Sequence, residues 1–136
     1  MEQEISQEII MKASLLKNYT EEIEKQLEIV TKQLSELKDF GSGLQSFSES
    51  KEKQMLSSLG KGVYAKANLE DKKLFVEVGS GVLVKKTPEE IQKVIAEQIE
   101  RLSEVRLNLM AQLESYNGEL VSLIREVEAQ RSKAKK

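Results

Sequence analysis

Apolar residues recur at heptad spacing along the first part of this 136-residue chain, which contains no Gly or Pro before residue 41. A repeat that is sustained over several heptads is typical of a coiled-coil helix. We therefore predict an N-terminal coiled-coil helix over residues 1–40. The repeat has two positions in each heptad. The first is occupied by Ile9, Leu16, Ile23, Val30 and Leu37. The second, four residues later, is occupied by Ala13, Thr20, Leu27 and Leu34.

A second heptad pattern follows Pro88 and predicts a C-terminal coiled-coil helix over residues 88–136. In an antiparallel pair of helices, facing residues have numbers with a constant sum, and a sum of 129 pairs seam residues of the first pattern with seam residues of the second, such as Leu34 with Ile95 and Leu27 with Leu102; Arg106 opposite Ile23 breaks the pattern. The same sum places residue 41, where the first pattern stops, opposite residue 88, where the second starts. We therefore predict an intramolecular antiparallel hairpin of two helices. The second pattern consists of Ile95, Leu102, Leu109, Tyr116 and Leu123 with Ile99, Arg106, Leu113, Leu120 and Val127.

Between the helices the pattern changes twice. Residues 41–53, GSGLQSFSESKEK, are rich in Gly and Ser and predict a kink, a weak helical extension or a loop, with Leu44 and Phe47 packing back. From residue 54 to residue 87 apolar and polar residues alternate, as in β-strands. The segment GKGVYAK at residue 60 is repeated as GSGVLVK at residue 79, which indicates two β-hairpins, each with a Gly-X-Gly turn. The expected fold is α+β, a single domain in which two small β-hairpins join the two helices.

Two glycine-rich stretches of this middle segment have letters in common with nucleotide-binding loops. GKGVYA fits the dinucleotide pattern G-x-G-x-x-A, and GSGVLVKKT loosely resembles a P-loop. Both motifs require the loop to open a helix, whereas here each opens an alternating strand. The sequence Thr87-Pro88-Glu89-Glu90 is instead a helix start, with Thr at the N-cap and Pro in the first helical position. We therefore expect no nucleotide site and no other cofactor.

The composition narrows the classes of function. The chain has no His and no Cys, so it lacks the commonest general base and the commonest zinc ligands, and we predict neither catalytic nor metal-binding residues. The net charge of −2 and the lack of a basic field predict no nucleic-acid binding. No apolar run approaches the length of about 20 residues that a membrane span needs, and the N-terminus lacks a signal peptide. We expect a soluble, cytoplasmic protein that is not an enzyme.

Two groups of apolar residues are left without an obvious partner in the single chain. Short β-hairpins have open edges, which natural proteins pair or cover, so we expect the strands to oligomerise into a β-barrel platform. The residues expected to carry this contact are Leu59, Val63, Ala65, Leu74, Val76, Val78, Val82 and Val84. The second group lies at the open end of the helical hairpin, where apolar residues also occupy positions outside the seam. This tip consists of Ile5, Ile9, Ile10, Met11, Leu120, Val121, Leu123, Ile124 and Val127. It either packs on a neighbouring helix of an assembly or binds partly folded chains.

The order of elements and the segment LGKGVYAKANLEDKKLFVEVGSGVLVKKTPEE, residues 59–90, resemble the α-type subunit of prefoldin. The family usually has Val-Pro before its first Leu-Gly, where this chain has Ser57-Ser58. The resemblance implies an ATP-independent holdase that assembles with β-type subunits as a hetero-hexamer of two α and four β. Such an assembly holds unfolded polypeptides between its coiled-coil arms and passes them to a group II chaperonin in the cytoplasm. Because a related branch forms homomeric filaments, self-association as a structural filament or spacer is the alternative.

Overall fold

The computed structural model describes the backbone of residues 2–134 and the side chains of residues 7–133. The two long helices and two antiparallel β-hairpins confirm the predicted fold class. The chain divides into two compact units, one formed by residues 1–34 and 101–136 and the other by residues 35–100. The elements are α1 (Glu2–Glu49), β1 (Gln54–Gly60), β2 (Val63–Asn68), β3 (Leu74–Gly79), β4 (Val82–Lys86) and α2 (Pro88–Ala134).

The first unit is an antiparallel pair of helical segments, and its core lies on the predicted heptad seam. Ile9, Ile23 and Leu109 are each less than one-tenth exposed, and the remaining apolar seam residues of this unit are buried or half-buried. The rings of Tyr19 and Tyr116 lie 5.7 Å apart across the pair. Thr20 is the one buried polar residue among the described side chains, and its hydroxyl donates a hydrogen bond to the carbonyl of Lys17 (2.8 Å). Because this bond satisfies the hydroxyl, Thr20 can occupy the apolar seam without a large desolvation penalty.

In the second unit, α1 continues without a break through Gly41 and Gly43 and ends at Glu49. Residues 41–49 are therefore a helical extension, so the helix predicted to end at residue 40 is nine residues longer. Two interior glycines cost about 2 kcal/mol relative to alanine, which is why the sequence favours a kink or loop here. Tertiary contacts offset this cost, because Leu44 is only 5% exposed and Gln92 Nε2 donates a hydrogen bond to the Gly41 carbonyl (2.7 Å).

Each β-hairpin turns through two residues with positive φ, as type I′ turns require. The central residues are Lys61 (52°) with Gly62 (78°) in the first hairpin and Ser80 (50°) with Gly81 (76°) in the second. In each hairpin the strand register shifts just before the turn, between residues 58 and 60 in the first and between residues 77 and 79 in the second, which indicates a β-bulge. The predicted Gly-X-Gly turns are thus present, and the residue between the glycines also adopts the left-handed conformation.

The start of α2 has the predicted cap. The Glu90 backbone N–H donates to Thr87 Oγ1 (3.2 Å), and the helix begins at Pro88. Glu89 and Glu90 lie in the first turn, where negative charge interacts favourably with the helix dipole. The stretch GSGVLVKKT is therefore a turn, a strand and a helix cap, because strand β4 separates its glycines from α2.

Candidate functional site

The candidate tip surface lies in the first unit, where the start of α1 and the end of α2 come together. Four of the predicted tip residues present large apolar side chains to solvent: Ile10 is 61% exposed, Met11 72%, Val121 47% and Ile124 52%. All four lie outside the heptad seam, so the contact between the two helices does not cover them. They are the part of the predicted tip that stays exposed in the single chain.

The other predicted tip residues are used by the helical pair. Ile9 is buried, and Leu120, Leu123 and Val127 are half-buried at seam positions. Ile5 was also predicted to belong to the tip, but its side chain lies outside the described residues. The heptad map therefore distinguishes two roles within the predicted tip, because seam residues join the helices and off-seam residues remain accessible.

Next to the tip, an open groove with a volume of about 910 Å³ runs between the two helical segments. Its apolar lining comes from Leu15, which is 51% exposed, and from the half-buried Leu16 and Leu123. The wall on α1 also carries Lys12. The part contributed by α2 consists of Ser115, Gly118, Glu119, Ser122 and Glu126.

Gly118 leaves the α2 side of this groove open. Nothing lies within 4 Å of the position that a Cβ atom would occupy there, so packing does not require glycine. Glycine in the interior of a helix costs about 1 kcal/mol relative to alanine. Gly118 belongs to none of the predicted sites, although an isolated glycine within a heptad pattern is a sequence signal for a special position.

The candidate assembly surface lies in the second unit, on the two β-hairpins. Leu59, Val63, Val78, Val82 and Val84 are between 38% and 70% exposed, Ala65 is exposed, and Leu74 and Val76 are half-buried. The single chain thus leaves six of these eight predicted oligomerisation residues open to solvent. Two-stranded sheets are marginal on their own, because they have no second layer against which to bury an apolar face.

The opposite faces of the hairpins also carry exposed apolar side chains, beside charged and polar ones, and none of these apolar residues was predicted as an assembly residue. Phe75 pairs with Lys85 and is 64% exposed, and Leu83 pairs with Glu77 and is 60% exposed. In the first hairpin, Leu56 and Tyr64 are similarly exposed. The alternation of residues along β3 carried this signal, since Phe75 is out of phase with Leu74 and Val76.

Charged contacts in the second unit hold the loop between the hairpins. Lys85 Nζ lies 3.7 Å from Asp71 Oδ2, and Lys72 Nζ lies 4.5 Å from the centre of the Phe47 ring. Lys72 also donates a hydrogen bond to the Glu52 carbonyl (3.2 Å). Both partners of the ion pair are about half exposed, so this pair contributes little to stability and mainly orients the loop.

Two other classes of site have no counterpart in the described part of the chain. No group of three or more His, Cys, Asp or Glu side chains among the described residues is arranged to hold a metal ion. Within the same residues, neither helix contains a stretch that is apolar and long enough to cross a membrane.

Comparisons with known proteins place the chain in a family. The fold is similar to that of a chain in the cryo-EM structure of filamentous PFD from Methanocaldococcus jannaschii, with a TM-score of 0.69 and 21% sequence identity. The similarity covers 88% of this chain and 98% of that chain, and at this identity it is a likeness of fold. A search of curated proteins found no significant match. The family model described as prefoldin subunit matches residues 16–133, which is most of the chain. This chain therefore belongs to the prefoldin family.

Proposed function

We propose that this chain is a subunit of an ATP-independent holdase, which binds unfolded polypeptides at the tip and transfers them to a group II chaperonin in the cytoplasm. The role is one of binding and not of catalysis. The observation that carries the proposal is the exposure of four large apolar side chains, Ile10, Met11, Val121 and Ile124, at one end of the helical pair. Exposed apolar side chains such as these can bind apolar segments of many different sequences, because the hydrophobic effect has no directional requirement.

The proposed assembly is formed by the β-hairpins. A face with Val63 and Ala65 in one hairpin and Val76 and Val84 in the other would be covered by strands of other subunits, which would close a β-barrel platform. Burying each valine would contribute on the order of 1.5 kcal/mol or more. The proposed partners are β-type prefoldin subunits, in a hetero-hexamer of two α and four β subunits.

The alternative is a homomeric filament with a structural role. This reading is favoured by the likeness of fold to filamentous PFD from M. jannaschii and by the exposure of apolar residues on both faces of each hairpin, such as Phe75 and Val78. In that case the same strands would join copies of this chain, and the tips would contact neighbouring chains of the filament.

The test is light scattering by a chemically unfolded protein diluted into the assembled chain without ATP. We would compare wild type with the double variant Ile10→Ser and Ile124→Ser. The matched control is Ile29→Ser, because Ile29 is 57% exposed on α1 but lies away from the tip. We expect wild type and the control to suppress aggregation and the double variant to lose most of this activity.

Size measurements on the same samples separate the alternatives. Chain alone and chain mixed with a β-type subunit would be examined by analytical ultracentrifugation. A defined hetero-hexamer that suppresses aggregation agrees with the proposal. Large homopolymers without affinity for unfolded chains would instead identify a structural filament, and equal protection by all variants would exclude the tip as the binding surface.

A further inference from the structure

The groove beside the tip differs from the tip residues in combining an apolar lining with charged walls. Its lining is apolar through Leu15, Leu16 and Leu123, and Leu15 is half exposed there. Gly118 presents bare backbone on the α2 side, with open space where a side chain would lie. An occupant can therefore approach α2 closely at this point and contact the leucines of both helical segments.

The charges on the groove are unpaired within the described residues. Across residues 7–133 the one ion pair joins Lys85 and Asp71, so Lys12, Glu119 and Glu126 have no partner of opposite charge. The two glutamates are seven residues apart on α2, which corresponds to about 10 Å along the helix axis. Glu119 and Glu126 lie in line on the α2 wall, whereas Lys12 lies on the α1 wall, so an occupant is favoured that has two cationic side chains on the flank facing α2.

We infer that this groove binds amphipathic helical segments of client proteins that carry an apolar stripe and Lys or Arg residues seven apart. The inference rests on the proposed client-binding function and names the class of segment that it selects. A helix with this spacing presents both cations on one side, facing Glu119 and Glu126, while its apolar stripe lies on Leu15 and Leu123. Its recognition corresponds to the helix-in-groove mode of peptide binding.

The experiment measures binding of fluorescein-labelled synthetic peptides to the assembled full-length chain by fluorescence anisotropy. The first peptide has about 18 residues, enough for several helical turns, with a leucine stripe and two lysines seven apart. The second has glutamate in place of both lysines, and the third keeps the composition of the first but contains prolines that prevent a helix. We expect the first peptide to bind about fivefold more tightly than the second at low salt, and more tightly than the third.

Substitutions in the groove test whether the peptide binds there. Gly118→Leu fills the opening and is expected to raise the Kd of the first peptide at least about tenfold, the effect of losing one well-packed contact. Gly43→Leu is the matched control, because Gly43 is also an exposed helical glycine with nothing within 4 Å of its Cβ position. The pair E119K and E126K should reverse the preference between the first two peptides, whereas E114K and E128K, on the same helix but outside the groove lining, should not.

Each outcome decides the inference. Equal binding of the helical and proline-containing peptides would overturn it in favour of extended segments, and equal effects of Gly118→Leu and Gly43→Leu would exclude the groove. A change in oligomer size caused by Gly118→Leu would show that the groove is an interface between copies of this chain. If wild type suppresses aggregation in the scattering assay but the groove substitutions leave the Kd values of the peptides unchanged, the groove inference fails and the holdase proposal stands. If wild type binds the helical peptide through the groove but suppresses no aggregation, the holdase proposal fails.

Discussion

Replacing the two interior glycines of α1 by alanine should stabilise this protein. Gly41 and Gly43 lie within a continuous helix, where alanine is favoured over glycine by about 0.8–1 kcal/mol at each position. At residue 41 a Cβ atom would lie 3.5 Å from Gln92 Oε1 and 3.7 Å from Ile95 Cγ2, and at residue 43 it would meet nothing within 4 Å. Both distances at residue 41 are ordinary van der Waals contacts. We therefore expect the double variant to gain about 1.5–2 kcal/mol in the free energy of unfolding.

Urea unfolding followed by far-UV circular dichroism measures this gain. With a slope of about 2 kcal/mol per molar urea, the midpoint should rise by about 1 M. Chain concentration must be the same for all variants, because assembly contributes to stability. The comparison variant is Gly62→Ala, which places a side chain at a φ of 78° and should lower stability by about 1–2 kcal/mol. A lower midpoint for the Gly41→Ala, Gly43→Ala variant would refute the reasoning, since it would mean that these positions need glycine for their conformation.

Three further substitutions test other parts of the structure. Ile23→Ala should lower the free energy of unfolding by about 2–4 kcal/mol, because Ile23 is 7% exposed in the seam. Ile29→Ala, at a 57% exposed site of the same helix, should lower it far less. Similar urea midpoints for the two variants would contradict the assigned seam. Thr87→Ala should lower the free energy of unfolding by about 1 kcal/mol through loss of the N-cap, whereas Thr87→Ser should keep the stability of wild type. Equal thermal unfolding temperatures for Thr87→Ala, Thr87→Ser and wild type would argue against the cap. Lys61→Asn should raise stability by about 0.5 kcal/mol, because asparagine tolerates the left-handed conformation at this turn, and a lower unfolding temperature would contradict this assignment.

Much of the candidate tip surface was predictable because its residues are apolar residues that lie outside the heptad seam. The heptad map identified Ile10, Met11, Val121 and Ile124 as apolar residues outside the seam, and the side chains of all four are exposed. It did not identify the groove at Gly118, because a groove depends on side chains from two distant segments. It also passed over Phe75, since alternation assigns a residue to one face of a strand without saying what will cover that face.

The features that depend on local order along the chain could be predicted from the sequence alone. Heptad spacing marked the buried seam from Ile9 to Leu109, glycine placement marked the turns, and Thr87-Pro88 marked the start of α2. The continuation of α1 to Glu49 depends instead on tertiary contacts, because local propensity opposes a helix at Gly41 and Gly43. The burial of Leu44 and the hydrogen bond from Gln92, which comes from a residue 51 positions away, outweigh that preference. Periodicity records which face of a segment is apolar, whereas the length of the helix and the shape of the groove depend on contacts between segments that are far apart in sequence.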